Sequence, residues 1–274
     1  MDAMERRFSI GWVFVSYLMI AGGFMLAGVA VFLTELSGDW VGQAAFFAGA
    51  FAGGLFAGRA SPGKTIAEPG LAGVLLILTV VGVTYLVPDA QVLALDAGEE
   101  ALIGALKMGF VTGLGGFIGG LVGERTSSGV QSPSAVRWWG IACLITVGMT
   151  YLLLGLFAIL SLRSPGSVEG GDLAMLALAA FALGSFGSGF VTQAIAPRMM
   201  RRACGAGPVG LMAFVLVVNG VDGSATGEMA LGAVVVAGIA VLVGMAGAAL
   251  SWSIVGARRA ARPVMADLPE ARLK

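Results

Sequence analysis

GFVTGLGGFIGGLVGER, residues 109–125, carries seven glycines between Gly109 and Gly123. In a water-soluble helix each would cost about 1 kcal/mol relative to alanine. The spacers are Phe110, Val111, Leu114, Phe117, Ile118, Leu121 and Val122, which are not loop residues. A segment too glycine-rich for a soluble helix and too apolar for a loop fits one setting. In lipid the backbone must satisfy its own hydrogen bonds, so helix is close to obligatory. Small residues four apart then let two backbones approach. Gly109/Gly113, Gly115/Gly119, Gly116/Gly120 and Gly119/Gly123 have that spacing, as do Gly49/Gly53 and Gly54/Gly58. The stretch is expected to be a tightly packed transmembrane helix.

The rest of the chain agrees. It is 58% hydrophobic and 12% charged, with a mean hydropathy of +0.94. A soluble domain carries about 25% charge. Eight apolar stretches run near 10–34, 41–58, 70–87, 101–123, 138–162, 173–196, 205–221 and 229–256. A span needs about 20 residues, so 205–221 is the marginal one.

Charge resolves that case. Fourteen of the sixteen basic residues fall at the amino terminus, in alternate loops or in the tail. They include Arg6, Arg7, Arg59, Lys64, Arg125, Arg137, Arg198, Arg201, Arg202, Arg258, Arg259 and Arg262. The other loops hold acids such as Glu35, Asp39, Asp96, Glu169, Asp172, Asp222 and Glu228, with Arg163 as their one basic residue. By the positive-inside rule both termini are cytoplasmic, and the count of spans must be even. The expected fold is all-α and integral to the membrane, with eight transmembrane helices in the cell inner membrane. Arg59, Lys64, Arg198, Arg201, Arg202, Arg258, Arg259 and Arg262 are expected among lipid headgroups. The first apolar region, about 25 residues, exceeds the 7–15 of a signal core and reads as an uncleaved anchor.

The halves repeat. Gly98-Glu99-Glu100-Ala101-Leu102 resembles Gly227-Glu228-Met229-Ala230-Leu231 at an offset of 129. Gly28–Thr34 resembles Gly155–Ser161 at 127, and Gly49 and Pro62 match Gly184 and Pro197 at 135. This order predicts two parallel four-helix repeats. Residues 1–126 form the first, 127–137 a cytoplasmic linker, 138–256 the second, and 257–274 a basic cytoplasmic tail. Four spans per unit make the repeats parallel, related by an axis along the membrane normal.

Candidate sites are few. GRASPGKT, Gly58–Thr65, fits the letters of a phosphate-binding loop. That loop needs a buried strand before it and a soluble helix after. Here an apolar span precedes it and Pro69 follows, so it reads as a tight cytoplasmic turn and no nucleotide is expected. Lys107 is the one basic residue inside a span, seven residues past Glu100. That is about 10 Å into the helix, shallow enough to snorkel. An anion contact or an ion pair with Asp96, Glu99 or Glu100 is the alternative. SFGSGFVTQ, Ser185–Gln193, is the densest polar set. With Lys107, its Ser185, Ser188, Thr192 and Gln193 mark the place for a polar cavity.

The chain has no histidine and two cysteines, Cys143 and Cys204, which read as unpaired. No acid, base or metal set can be assembled from the motifs. No catalysis, cofactor, metal or nucleic-acid partner is expected. The expected partners are the lipid bilayer and either another membrane protein or further copies of the chain. Two roles fit: a structural or accessory subunit acting by helix–helix packing, or a transporter or channel for a small neutral or lipid-like molecule. A continuous polar lining favours transport; an open glycine-bearing face favours partner helices.

Overall fold

The computed structural model describes residues 8–34, 38–61, 66–86, 88–126, 135–162, 170–195, 206–221 and 227–256. Among them every regular element is helical: α1 Ile10–Leu33, α2 Asp39–Ala60, α3 Ala67–Leu86, α4 Pro88–Thr126, α5 Ala135–Leu162, α6 Gly170–Ile195, α7 Ala206–Val221 and α8 Gly227–Ser251, closed by a π-helical turn, Trp252–Gly256. Seven are long and apolar enough to cross a membrane, a build compatible with a multi-pass membrane protein. The exception is α7, whose 16 residues reach about 24 Å at 1.5 Å per residue.

Local chemistry sets the helix ends. Gly38, at φ 129°, turns the chain into α2, a conformation open to glycine at little cost. Glu68 and Pro69 begin α3; a carboxylate suits the positive end of the helix, and proline lacks the N–H that would stand idle there. α4 extends well before the expected 101, starting at Pro88, and bends at Gly98, whose φ of 50° is not helical. α5 begins at Ala135, inside the segment read as a linker.

Glycine governs the packing. A methyl group on Gly54 would collide with the carbonyl oxygen of Gly116, one on Gly58 with that of Gly120, one on Gly119 with that of Phe51, and one on Gly123 with that of Leu55. Both members of each pair advance together, so α2 and α4 run parallel. α1 packs antiparallel to α2, with Gly23 against Gly49 and Gly53 against Ile20. α3 packs antiparallel to α4, with Pro69 against Gly116 and Gly73 against Thr112. Gly116 therefore stands between α2 and α3: a methyl on it would strike the Pro69 carbonyl, and its own carbonyl fills the space beside Gly54.

The second half makes the same kinds of contact. A methyl on Gly189 would meet the carbonyl of Gly244, and one on Gly247 that of Phe186. These are the Gly54–Gly116 and Gly119–Phe51 contacts, moved by 135 residues in α6 and 128 in α8. The pairings of neighbouring helices match too: α1–α2, α1–α3, α2–α4 and α3–α4 answer α5–α6, α5–α7, α6–α8 and α7–α8.

The halves meet mainly through α1 and α5. A methyl on Gly22 would strike the carbonyl of Leu144, and one on Gly148 that of Leu18. The two contacts are reciprocal at an offset of 126. Leu18, Met19, Ile141 and Ile145 are buried around it, with Trp138 and Ala57 in the same cluster.

Candidate functional site

The dense polar set of α6 is held inside the second half. Ser188 faces α5: its hydroxyl accepts from that of Thr146 at 2.7 Å and donates to the carbonyl of Ala142 at 3.1 Å. The Thr146 hydroxyl also lies 2.8 Å from the same carbonyl. Ser185 bonds back to Phe181 at 2.7 Å, within its own helix. Ser185, Ser188, Thr192 and Gln193 are all buried. The set thus joins helices at a closed interface, and none of its members lines the cavity described below.

The equivalent interface in the first half is apolar. Taking the contact offsets of 135 and 126, Ser188 and Thr146 occupy the places of Gly53 and Ile20, which also touch. Thr150 takes the place of Phe24, whose ring centroid lies 4.4 Å from that of Phe46 with the planes tilted by 37°. A close approach of glycine to isoleucine in one half is a hydroxyl pair in the other. The hydroxyls of Thr150, Thr192 and Ser251 in the second half, and of Ser16 in the first, are buried without a hydrogen-bond partner among the described residues. Ser251 immediately precedes the π-helical turn.

Lys107 lies apart from this set. It is exposed, in an outward stripe of α4 with Ile103, Leu106, Phe110, Leu114 and Phe117. Adding 128 gives the stripe Leu231, Val234, Val235, Gly238, Leu242 and Met245 on α8, and every one is exposed. The contact offset makes Val235 the counterpart of Lys107. Lys107 stands eight residues before Gly115 and Trp40 seven before Phe47, and Gly115 packs on the Phe47 carbonyl. Lys107 is therefore level with the first turn of α2.

The predicted packing glycines divide by position. Gly49, Gly53, Gly115, Gly116, Gly119 and Gly123 each meet a neighbouring backbone. The carbonyl of Gly120 faces Gly58, Gly113 meets the Val74 side chain, and Gly109 touches Ile77 only at 4.0 Å. Gly58 lies in α2 with no space beside it, so the phosphate-loop letters begin inside a packed helix; Lys64 lies outside the described residues. Arg59, half-buried, donates from Nε to the Thr126 hydroxyl at 3.0 Å, tying the ends of α2 and α4. Arg198, Arg201, Arg202, Arg258, Arg259 and Arg262 lie outside the described residues.

Two features were missed by sequence reading. Glu68 is 3% exposed, and its Oε1 accepts the backbone N–H of Ser9 at 3.2 Å, joining the starts of α1 and α3. The Glu-Pro pair just before an apolar stretch was a readable helix start. The second is a cavity of about 290 Å³ between α3 and α5, lined by Leu76, Thr79, Val83, Thr84, Tyr151 and Gly155 among others. It depends on how the halves dock, which no local pattern encodes. No protein-family model matches the chain, and no curated protein or solved structure matches it either.

Proposed function

We propose that this chain is a polytopic inner-membrane protein that acts by helix–helix contact, as a structural or accessory subunit, without catalysis of its own. In this reading all eight helices, α7 included, lie within the bilayer as two parallel four-helix repeats. Both termini are cytoplasmic. The shared contact offsets and the matching outward stripes support the repeat. Exposed Trp40 and Tyr85 near one set of helix ends, and Trp139 and Trp252 near the other, suit the interfacial belts of a membrane protein. Lys107, level with Trp40, reaches the outer headgroups by snorkelling.

The observation that carries the accessory role is how the densest polar set is used. Ser188 and Thr146 bond one helix to another, and Ser185 bonds to its own helix. Lipid tails are as apolar as leucine, so helices associate there by close packing and interhelical hydrogen bonds. This chain does both internally, and it leaves Gly232 and Gly238 open on the outer face of α8. A partner helix seated there would meet no side chain at those positions. Affinity purification in mild detergent tests the role. The expected result is a fixed partner or a defined oligomer, lost on Gly238→Leu while the melting temperature stays unchanged. Recovery of the same monomer from both proteins overturns it.

Transport of a small neutral or lipid-like molecule is the second reading. The unpartnered hydroxyls of Thr150, Thr192 and Ser251 favour it, because buried hydroxyls without partners often mark bound water or a polar guest. Reconstituted alone in liposomes, the protein is expected to move no ion or small solute above the empty-vesicle rate. Saturable flux lost on changing Ser188, Gln193 or Lys107 would put transport in place of the accessory role.

A further inference from the structure

We infer that the cavity between α3 and α5 is the seat of a single lipid acyl chain, held at the seam between the two halves. The inference rests on the bilayer reading above, but not on the accessory role.

The shape comes first. The lining runs from Leu76 to Thr84 on α3 and from Tyr151 to Ile159 on α5. Each stretch covers eight residue steps, about 12 Å at 1.5 Å per residue. A cavity of about 290 Å³ drawn out along that length is elongated, the shape of a hydrocarbon chain rather than of a compact solute.

The chemistry of the wall points the same way. Leu76, Val80, Val83, Leu152, Leu156 and Ile159 supply most of it. Both threonine hydroxyls are in use: Thr79 donates to the Leu75 carbonyl at 2.9 Å and Thr84 to that of Val80 at 3.0 Å. A polar solute would lose its water and find little in return, whereas a methylene chain loses nothing on leaving the surrounding tails. Gly155 forms part of the wall on α5, and a methyl built on it meets nothing within 4 Å.

The same glycine supplies the test. Full-length protein is reconstituted in vesicles of phosphatidylethanolamine and phosphatidylglycerol doped with a phospholipid bearing a mid-chain diazirine. After photolysis, adducts are mapped by mass spectrometry. In the wild type, adducts on segments 76–84 and 151–159 are expected to exceed those on the open stripes around Leu106 and Leu242 severalfold. Gly155→Phe fills the slot from a position with free space, and should abolish that excess while the protein melts as before. Gly82→Phe, also in open space and outside the lining, should leave it intact. Even labelling of slot and stripes in the wild type overturns the inference without any variant. An excess that survives Gly155→Phe overturns it too. A chain that fails to enter vesicles at all would instead sink the bilayer reading.

Discussion

Gly116 shows what a single hydrogen in place of a side chain does here. Its backbone lies against Pro69 of α3 on one side and Gly54 of α2 on the other. Gly116→Leu drives its side chain into the Pro69 carbonyl of α3 and toward Ile20 of α1, an overpacking worth about 1–3 kcal/mol or more. It should lower the unfolding midpoint in mixed micelles sharply. Gly109→Ala, with its nearest neighbour at 4.0 Å, should leave that midpoint within error or raise it slightly. Equal behaviour of the two would mean that spacing alone, not position, sets a glycine's role. Sequence treats them alike, because both sit in small-xxx-small pairs; only the neighbours tell them apart. The Ser188–Thr146 bond is a second case. Ser188→Ala should cost about 0.6 kcal/mol, and no more than about 1.7, the range of such bonds between membrane helices. That value is read from the same unfolding curve. A larger loss would indicate that the hydroxyl holds more than Thr146 and the Ala142 carbonyl.

Between elements, the proposed repeat makes α2–α4 and α6–α8 equivalent, which is a quantitative claim. Gly54 and Gly189 meet the same backbone atom of matching partners. Gly54→Leu and Gly189→Leu should therefore destabilise to similar extents, within about 1 kcal/mol, each in the overpacking range. A large loss in one with none in the other would break the repeat. The helices themselves were readable from hydropathy, because an apolar stretch long enough to cross a bilayer would there have few choices but helix. Their partners were less so. Matching sequence at an offset of 127 pairs Ile20 with Val147, whereas the contacts set α1 and α5 at 126 and pair Ile20 with Thr146. That slip of one residue hid the replacement of a Gly53–Ile20 contact by a Ser188–Thr146 hydrogen bond. In α4 and α8 the match of 129 at the outer ends becomes 128 where the glycines pack. A helix advances 100° per residue, so a slip of one changes which neighbour a side chain faces.

For the molecule as a whole, the decisive question is on which side each loop lies. Cysteine labelling from outside intact cells should modify a Cys placed at Ala97 or at Ser224 and spare one at Ser127. Modification at Ser127 would reverse the orientation, and protection at Ser224 would take α7 out of the bilayer. The even count of spans came from the division of arginines between loops, a signal independent of helix length, and length is where α7 falls short. How the halves dock was not legible, since the α1–α5 contact uses Gly22, Leu144, Leu18 and Gly148, residues of the same kind as everywhere else in the chain. The α3–α5 slot follows from that docking and was hidden with it.

The parallel pairing of α2 with α4 also bears on how the protein is made. Gly54 is synthesised 62 residues before Gly116, the residue it packs on. At about 5–20 residues per second, α2 then waits roughly 3–12 s for its mate. During that interval α1 covers one flank of α2, and the other presents Gly54 and Gly58 with their backbone laid open. α3 must emerge, turn and cross before α4 arrives to close the seam. The hazardous moment in the life of this protein thus falls at the ribosome, with three helices out and the fourth still in the tunnel, when any passing small-residue helix can take the place reserved for α4.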